Sequence, residues 1–197
     1  MVPFSNDNLS MKTRATVSMA YPHGLVMFDP LVLCRFLEQH DLTQGDVLEA
    51  FMRDEAVGDA AVQAGCIVPM YPLDEDDYLF CNLDAEPLAL DWQFSHGGLP
   101  LVVESGVLVV ADLFVLVGWE HAAFTRYERQ RKLSWTVNDL DVVPGSHAVR
   151  IRGARGEGDG LQGAKVFGLQ LALLAPGVTP SGRPIWPHSD ALDFGIA

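Results

Sequence analysis

Residues 88–114 read LALDWQFSHGGLPLVVESGVLVVADLF, and this stretch decides the fold class. Leu88, Leu90, Trp92 and Phe94 alternate with Ala89, Asp91 and Gln93. A period of two lays one face of an extended chain on a core. Residues 101–103 and 107–110 are apolar and flank Glu104-Ser105-Gly106, which predicts a tight hairpin. Such strands, each with one buried face, belong to an antiparallel sheet.

Upstream, the pattern changes to helix. Asp29-Pro30 is a helix start: the carboxylate accepts from free first-turn N–H groups, and proline sits where no donor is needed. Leu33, Phe36, Leu37 and His40 come next at helical spacing. Thr43 and Asp46 then suggest a capping box for a second helix carrying Val47, Leu48, Phe51 and Met52. A short third turn is expected to end near Ala64-Gly65. Before these helices, residues 14–19 and 25–28 read as strands joined through a Tyr21-Pro22-His23-Gly24 turn, a second hairpin.

Strands are also expected at 66–71, 78–83, 135–137, 148–152 and 166–174, with a further helix from Asp112 towards Lys132. The segment from Pro176 is rich in Pro and Gly and is expected to wrap the surface without regular structure. Helices set among antiparallel strands, with no βαβ alternation, give an α+β fold. The expected organisation is a flexible tail over 1–13 and one globular α+β domain over 14–197. That domain is mainly antiparallel sheet with an N-terminal helical pair and a further central helix. Met1 and Met11 are both possible starts.

The 197 residues carry 26 Asp and Glu against 13 Lys and Arg, a net charge of −13. This balance excludes nonspecific nucleic-acid binding, which needs cations for phosphates. Residues 1–10 hold no apolar run suited to a signal peptide, and 99–118 carries Glu104 and Asp112, so neither export nor a membrane span is expected. Cys34, Cys66 and Cys81 are odd in number and lack CxxC spacing, as for buried thiols in a reducing compartment. A cytoplasmic protein is therefore expected. The charge is uneven: residues 1–100 hold 16 acidic and 4 basic side chains, whereas 101–197 hold 10 and 9. The excess centres on Asp74-Glu75-Asp76-Asp77 and extends through Asp84, Glu86 and Asp91.

No motif carries chemistry by itself. Gly158-Asp159-Gly160-Leu161-Gln162-Gly163 matches GxGxxG, but residues 166–174 beyond it alternate like a strand, and position 183 is Arg rather than acidic. A flexible loop is the better reading, and no cofactor is expected. Four consecutive carboxylates lack the register of a calcium loop, and the six histidines show neither HxH nor HxxxH spacing, so no metal is expected. Arg126, Arg129, Arg131 and Lys132 beside Tyr127 and Trp135 read as a solvated helix face. A hydrolase assembled across the chain from His23, Asp29, His96 and Ser105 is the alternative.

The stretches GCIVPMYPLDEDDYLF (65–80) and GGLPLVVESGVLVVADLF (97–114) resemble, in general character, bacterial immunity proteins that neutralise polymorphic or secretion-delivered toxins. The resemblance covers the central third of the chain and assigns no residue. It implies an acidic, cytosolic α+β inhibitor without catalytic motifs, set against a basic toxin that is often a nuclease. On charge, Asp74, Glu75, Asp76, Asp77, Asp84 and Glu86 are the expected partner-binding residues. The partner is expected to be a basic protein, with no nucleic acid and no membrane.

Overall fold

The computed structural model describes residues 11–19, 24–127, 136–158, 160–175, 177–178 and 193–196. Within them, β1 (Arg14–Ser18) and β2 (Leu25–Phe28) precede α1 (Pro30–Gln39), α2 (Val47–Arg53) and α3 (Glu55–Gln63). Four strands come next: β3 (Val68–Met70), β4 (Asp77–Asn82), β5 (Phe94–Val103) and β6 (Val107–Asp112). Two single helical turns, α4 (Phe114–Val117) and α5 (His121–Phe124), lead to β7 (Val137–Asp141), β8 (Gly145–Arg155) and β9 (Lys165–Leu173). The fold is mixed, with two sheets and few helices.

One sheet has the order β1-β4-β9-β8-β5 and the other β3-β2-β6-β7. Their pairings are antiparallel except β4 with β9, which is parallel. The main core lies between the sheets, where Phe80, Val149, Ile151 and Phe167 meet Leu25, Met27, Leu108 and Val110. The opposite face of the smaller sheet, carrying Val26, Phe28, Val109 and Ala111, packs on Leu33, Leu37, Phe51 and Val62 of the helices. Burial on both faces explains why β2 and β6 are continuous apolar runs.

The helix start at Asp29 forms as its sequence directs: the carboxylate accepts from Leu31 N at 2.8 Å and Val32 N at 3.1 Å. Helix α2 begins later than the Thr43 capping box predicts, because Asp46 is the cap and accepts from Glu49 N at 2.7 Å. The third turn is a full nine-residue helix.

Three expectations are corrected. Strands β5 and β6 do not form a hairpin; they belong to different sheets. The Asp29 carboxylate accepts from Glu104 N and Ser105 N, tying the intervening turn to the head of α1 and sending β6 across the core. Strands β1 and β2 likewise lie in different sheets; residues 21–23 between them are outside the described residues. Residues 88–93 alternate in burial but form no strand. Leu88, Leu90 and Trp92 instead lie over Cys81 and Val166 on the outer face of the larger sheet. Trp92 and Leu83 sit against Gly168, where a Cβ would fall 2.6 Å from each side chain.

The central helix is also shorter than expected. Asp112 does begin a turn, accepting from Phe114 N at 2.8 Å, but α4 ends at Gly118 and α5 spans four residues. Residues 128–135, and with them Glu128, Arg129, Arg131, Lys132 and Trp135, lie outside the described residues. Of the expected tail, residues 1–10 lie outside them as well. Lys12 reaches β7, its carbonyl accepting from Asp141 N at 2.9 Å and its Nζ lying 2.9 Å from Asp139. Residues 193–196 have no regular structure, yet Phe194 is fully buried in the main core.

Candidate functional site

The acidic run joins β3 to β4 at one end of the larger sheet. Leu73 is buried and Tyr78 is buried beside Phe167, ring on ring at 5.2 Å, so both ends of the run are anchored in the core. Tyr78 Oη donates to the Asp74 carbonyl at 2.7 Å, and Asp77 N donates to Asp76 Oδ1 at 2.8 Å.

Lys165, at the head of β9, is the cation that sequence reading missed. Its side chain is 7% exposed, and its Nζ lies 3.2 Å from Asp76 and 3.8 Å from Asp74. It also stands 5.4 Å from the Tyr78 ring centre. A buried ammonium must be paired, and these two carboxylates pair it. The Asp77 N–H, reinforced by Lys165, holds the Asp76 carboxyl below the usual aspartate range against the opposing effect of burial. Burial, with Asp74 and Asp76 nearby, pushes the Tyr78 phenol up to about 12.

The run therefore divides by parity. All four are exposed, Asp74 at 89%, but Asp74 and Asp76 turn a carboxylate oxygen onto Lys165, whereas Glu75 and Asp77 make no ion pair among the described residues. A cleft of about 450 Å³ adjoins the run, lined by Tyr71, Pro72, Leu73, Asp74, Glu75, Asp193 and Gly195.

Asp84 and Glu86 are not part of this loop. They lie beyond the far end of β4, about 20 Å away by strand rise. Asp84 Oδ2 accepts from Leu171 N at 2.6 Å, extending the β4–β9 ladder past the end of β4. Glu86 accepts from Arg14 Nε at 3.0 Å and Thr13 Oγ1 at 2.8 Å, and these bonds hold its carboxyl below the usual glutamate range. Both carboxylates serve the fold. Neither position was distinguishable from the acidic run by sequence, because their partners are remote in the chain.

The residues of the hydrolase alternative are divided. Ser105 Oγ donates to Asp29 Oδ2 at 2.7 Å, but that carboxylate is fully buried and also accepts from four backbone N–H groups. His96 lies near the opposite end of β5 from Ser105, with Nε2 2.6 Å from the Asp193 carbonyl, and His23 is outside the described residues. Asp29 and Ser105 form a turn clasp, without a histidine between them.

Gly158, Gly160 and Gly163 have φ of +80°, +84° and +76° in the loop between β8 and β9. Among the described residues, no helix comes after them to meet a phosphate. Burial pushes Cys34 up to about 12, and Cys66 and Cys81 to about 11. Among the described residues, no group of three His, Cys, Asp or Glu could hold a metal ion, and no helix is long and apolar enough to cross a membrane.

No protein-family model matches the chain, and no curated protein does. Among solved structures, one similar chain is ComJ from Bacillus subtilis, described as the inhibitor of the DNA-degrading activity of NucA. The superposition has a TM-score of 0.46 at 11% identity and covers 84% of this chain and 98% of ComJ. At that score and identity the likeness carries no inference about mechanism.

Proposed function

We propose that this chain is a cytoplasmic binding protein that engages a basic protein partner through the loop 74–77, and that it acts as an immunity-type inhibitor of a toxin. The observation that supports this reading is the parity of the loop. Lys165 pairs with Asp76 at 3.2 Å and with Asp74 at 3.8 Å, its single charge offsetting half of theirs, while Glu75 and Asp77 are exposed without an ion pair among the described residues. Exposed acidic charge that is not paired within the fold attracts an opposite surface from a distance and raises the encounter rate. Within this reading, Glu75 and Asp77 contact the partner directly and Asp74 and Asp76 shape the loop. Asp84 and Glu86 contribute field more than contact. Neither nucleic acid nor membrane is the partner.

The test is capture from lysate of the source cell on the immobilised chain at low salt, with release at high salt. The wild type should retain one basic protein in stoichiometric amount. The double variant Glu75→Lys/Asp77→Lys should lose it, while Glu49→Lys/Glu120→Lys, with the same change in net charge at other exposed sites, should keep it. Equal retention by all three would overturn the assignment to this loop.

A further inference from the structure

We infer that residues 193–196 occupy a docking groove, and that this segment releases locally from a fold that stays otherwise intact. The segment alternates in burial: Asp193 and Gly195 are exposed, whereas Phe194 and Ile196 are buried in the core between the sheets. Phe194 stands edge-on to Phe94, at 5.9 Å between centroids, and to His96, at 5.1 Å. The polar tie is His96 Nε2 at 2.6 Å from the Asp193 carbonyl. Gly195 N turns inward on the segment itself, donating to Asp193 Oδ1 at 2.8 Å.

What the segment lacks is a ladder. Its described backbone pairs with no strand, whereas β8 and β9 pair through nine successive residues. On one side it faces the open cleft towards Tyr71 and Glu75 rather than packed side chains. Among the described residues, two side-chain anchors and one hydrogen bond join the segment to the rest of the fold, the pattern of a bound peptide, and segments with few backbone hydrogen bonds open at far lower cost than ladder strands. The groove accepts an extended chain with an aromatic residue two positions before an aliphatic one, and here the chain's own Phe194 and Ile196 fill it. This inference is independent of the acidic loop's partner.

Amide exchange on the full chain tests it. The amides of 194–196 should exchange at least ~100-fold faster than those of the β8–β9 ladder. His96→Ala should speed the former and leave the latter unchanged. Exchange of 194–196 at the rate of the slowest ladder amides would overturn the inference. The full-length Phe194→Asp variant should stay folded and bind a synthetic peptide of residues 191–197 at least ~10-fold more tightly than the same peptide with its phenylalanine replaced by alanine. Unfolding of that variant, or equal binding of both peptides, would show that the segment is an integral part of the core.

Discussion

Asp29 joins two elements through one buried carboxylate. Oδ1 caps α1, and Oδ2 holds the turn between β5 and β6 through two backbone N–H groups and the Ser105 hydroxyl. Replacing it with alanine removes a helix cap and strands donors in a dry site. Asp29→Ala should therefore cost about 2–4 kcal/mol by urea unfolding, well above an ordinary cap deletion. The three thiols should behave as inert hydrophobes. With pKa values pushed up to about 12 for Cys34 and about 11 for the others, they should resist iodoacetamide at pH about 8 until the chain unfolds.

The same scale sets the acid response. Glu86 and Asp76 have folded pKa values below their ordinary 4.5 and 3.8. Their contribution is thus complete above those ordinary values and is lost as pH falls through the lower folded ones. Thermal melts recorded across this acid range should show falling stability, and Glu86→Gln should flatten part of that slope. An unchanged slope would mean that the Arg14–Glu86 pair adds nothing measurable, the common outcome for exposed pairs.

At the scale of elements, what was legible in the sequence was local. Asp29-Pro30 and the spacing of Leu33, Phe36 and Leu37 reported α1, because cap and periodicity lie within one turn of each other. Period-two alternation reported which side chains face a core, but not which strand lies alongside. Residues 88–93 show the difference: they alternate without a ladder, because Gly168 leaves room for Trp92 to lie across the sheet. The β5–β6 turn failed as a hairpin for a related reason, its partner Asp29 lying 75 residues earlier. Gly168→Ala tests this account. The added Cβ would meet Trp92 and Leu83, so unfolding free energy should fall by about 1–3 kcal/mol and tryptophan emission should shift to the red. A neutral substitution would mean that the covering segment has slack.

At the scale of the whole molecule, the excess of acid in the first 100 residues was legible, but the division within it was not. Lys165 is the residue that separates Asp74 and Asp76 from Glu75 and Asp77, and it stands in the second half of the chain, next to Tyr78 only through the parallel β4–β9 pairing. Asp84 and Glu86 adjoin the acidic run in sequence, and only the remote partners Leu171 N and Arg14 set them apart from it. Phe194 gave no signal because one aromatic in a short segment has no period.

The central claim is that outward carboxylates on an ordered loop steer a basic partner. The most direct measurement is the association rate of the captured partner between about 20 mM and about 500 mM salt, for wild type and Glu75→Lys/Asp77→Lys. The wild-type rate should fall about tenfold or more over that range, and the variant should be slow at low salt and nearly insensitive to it. Association that is equally fast for both chains and unaffected by salt would contradict the claim and move the partner surface to an apolar face.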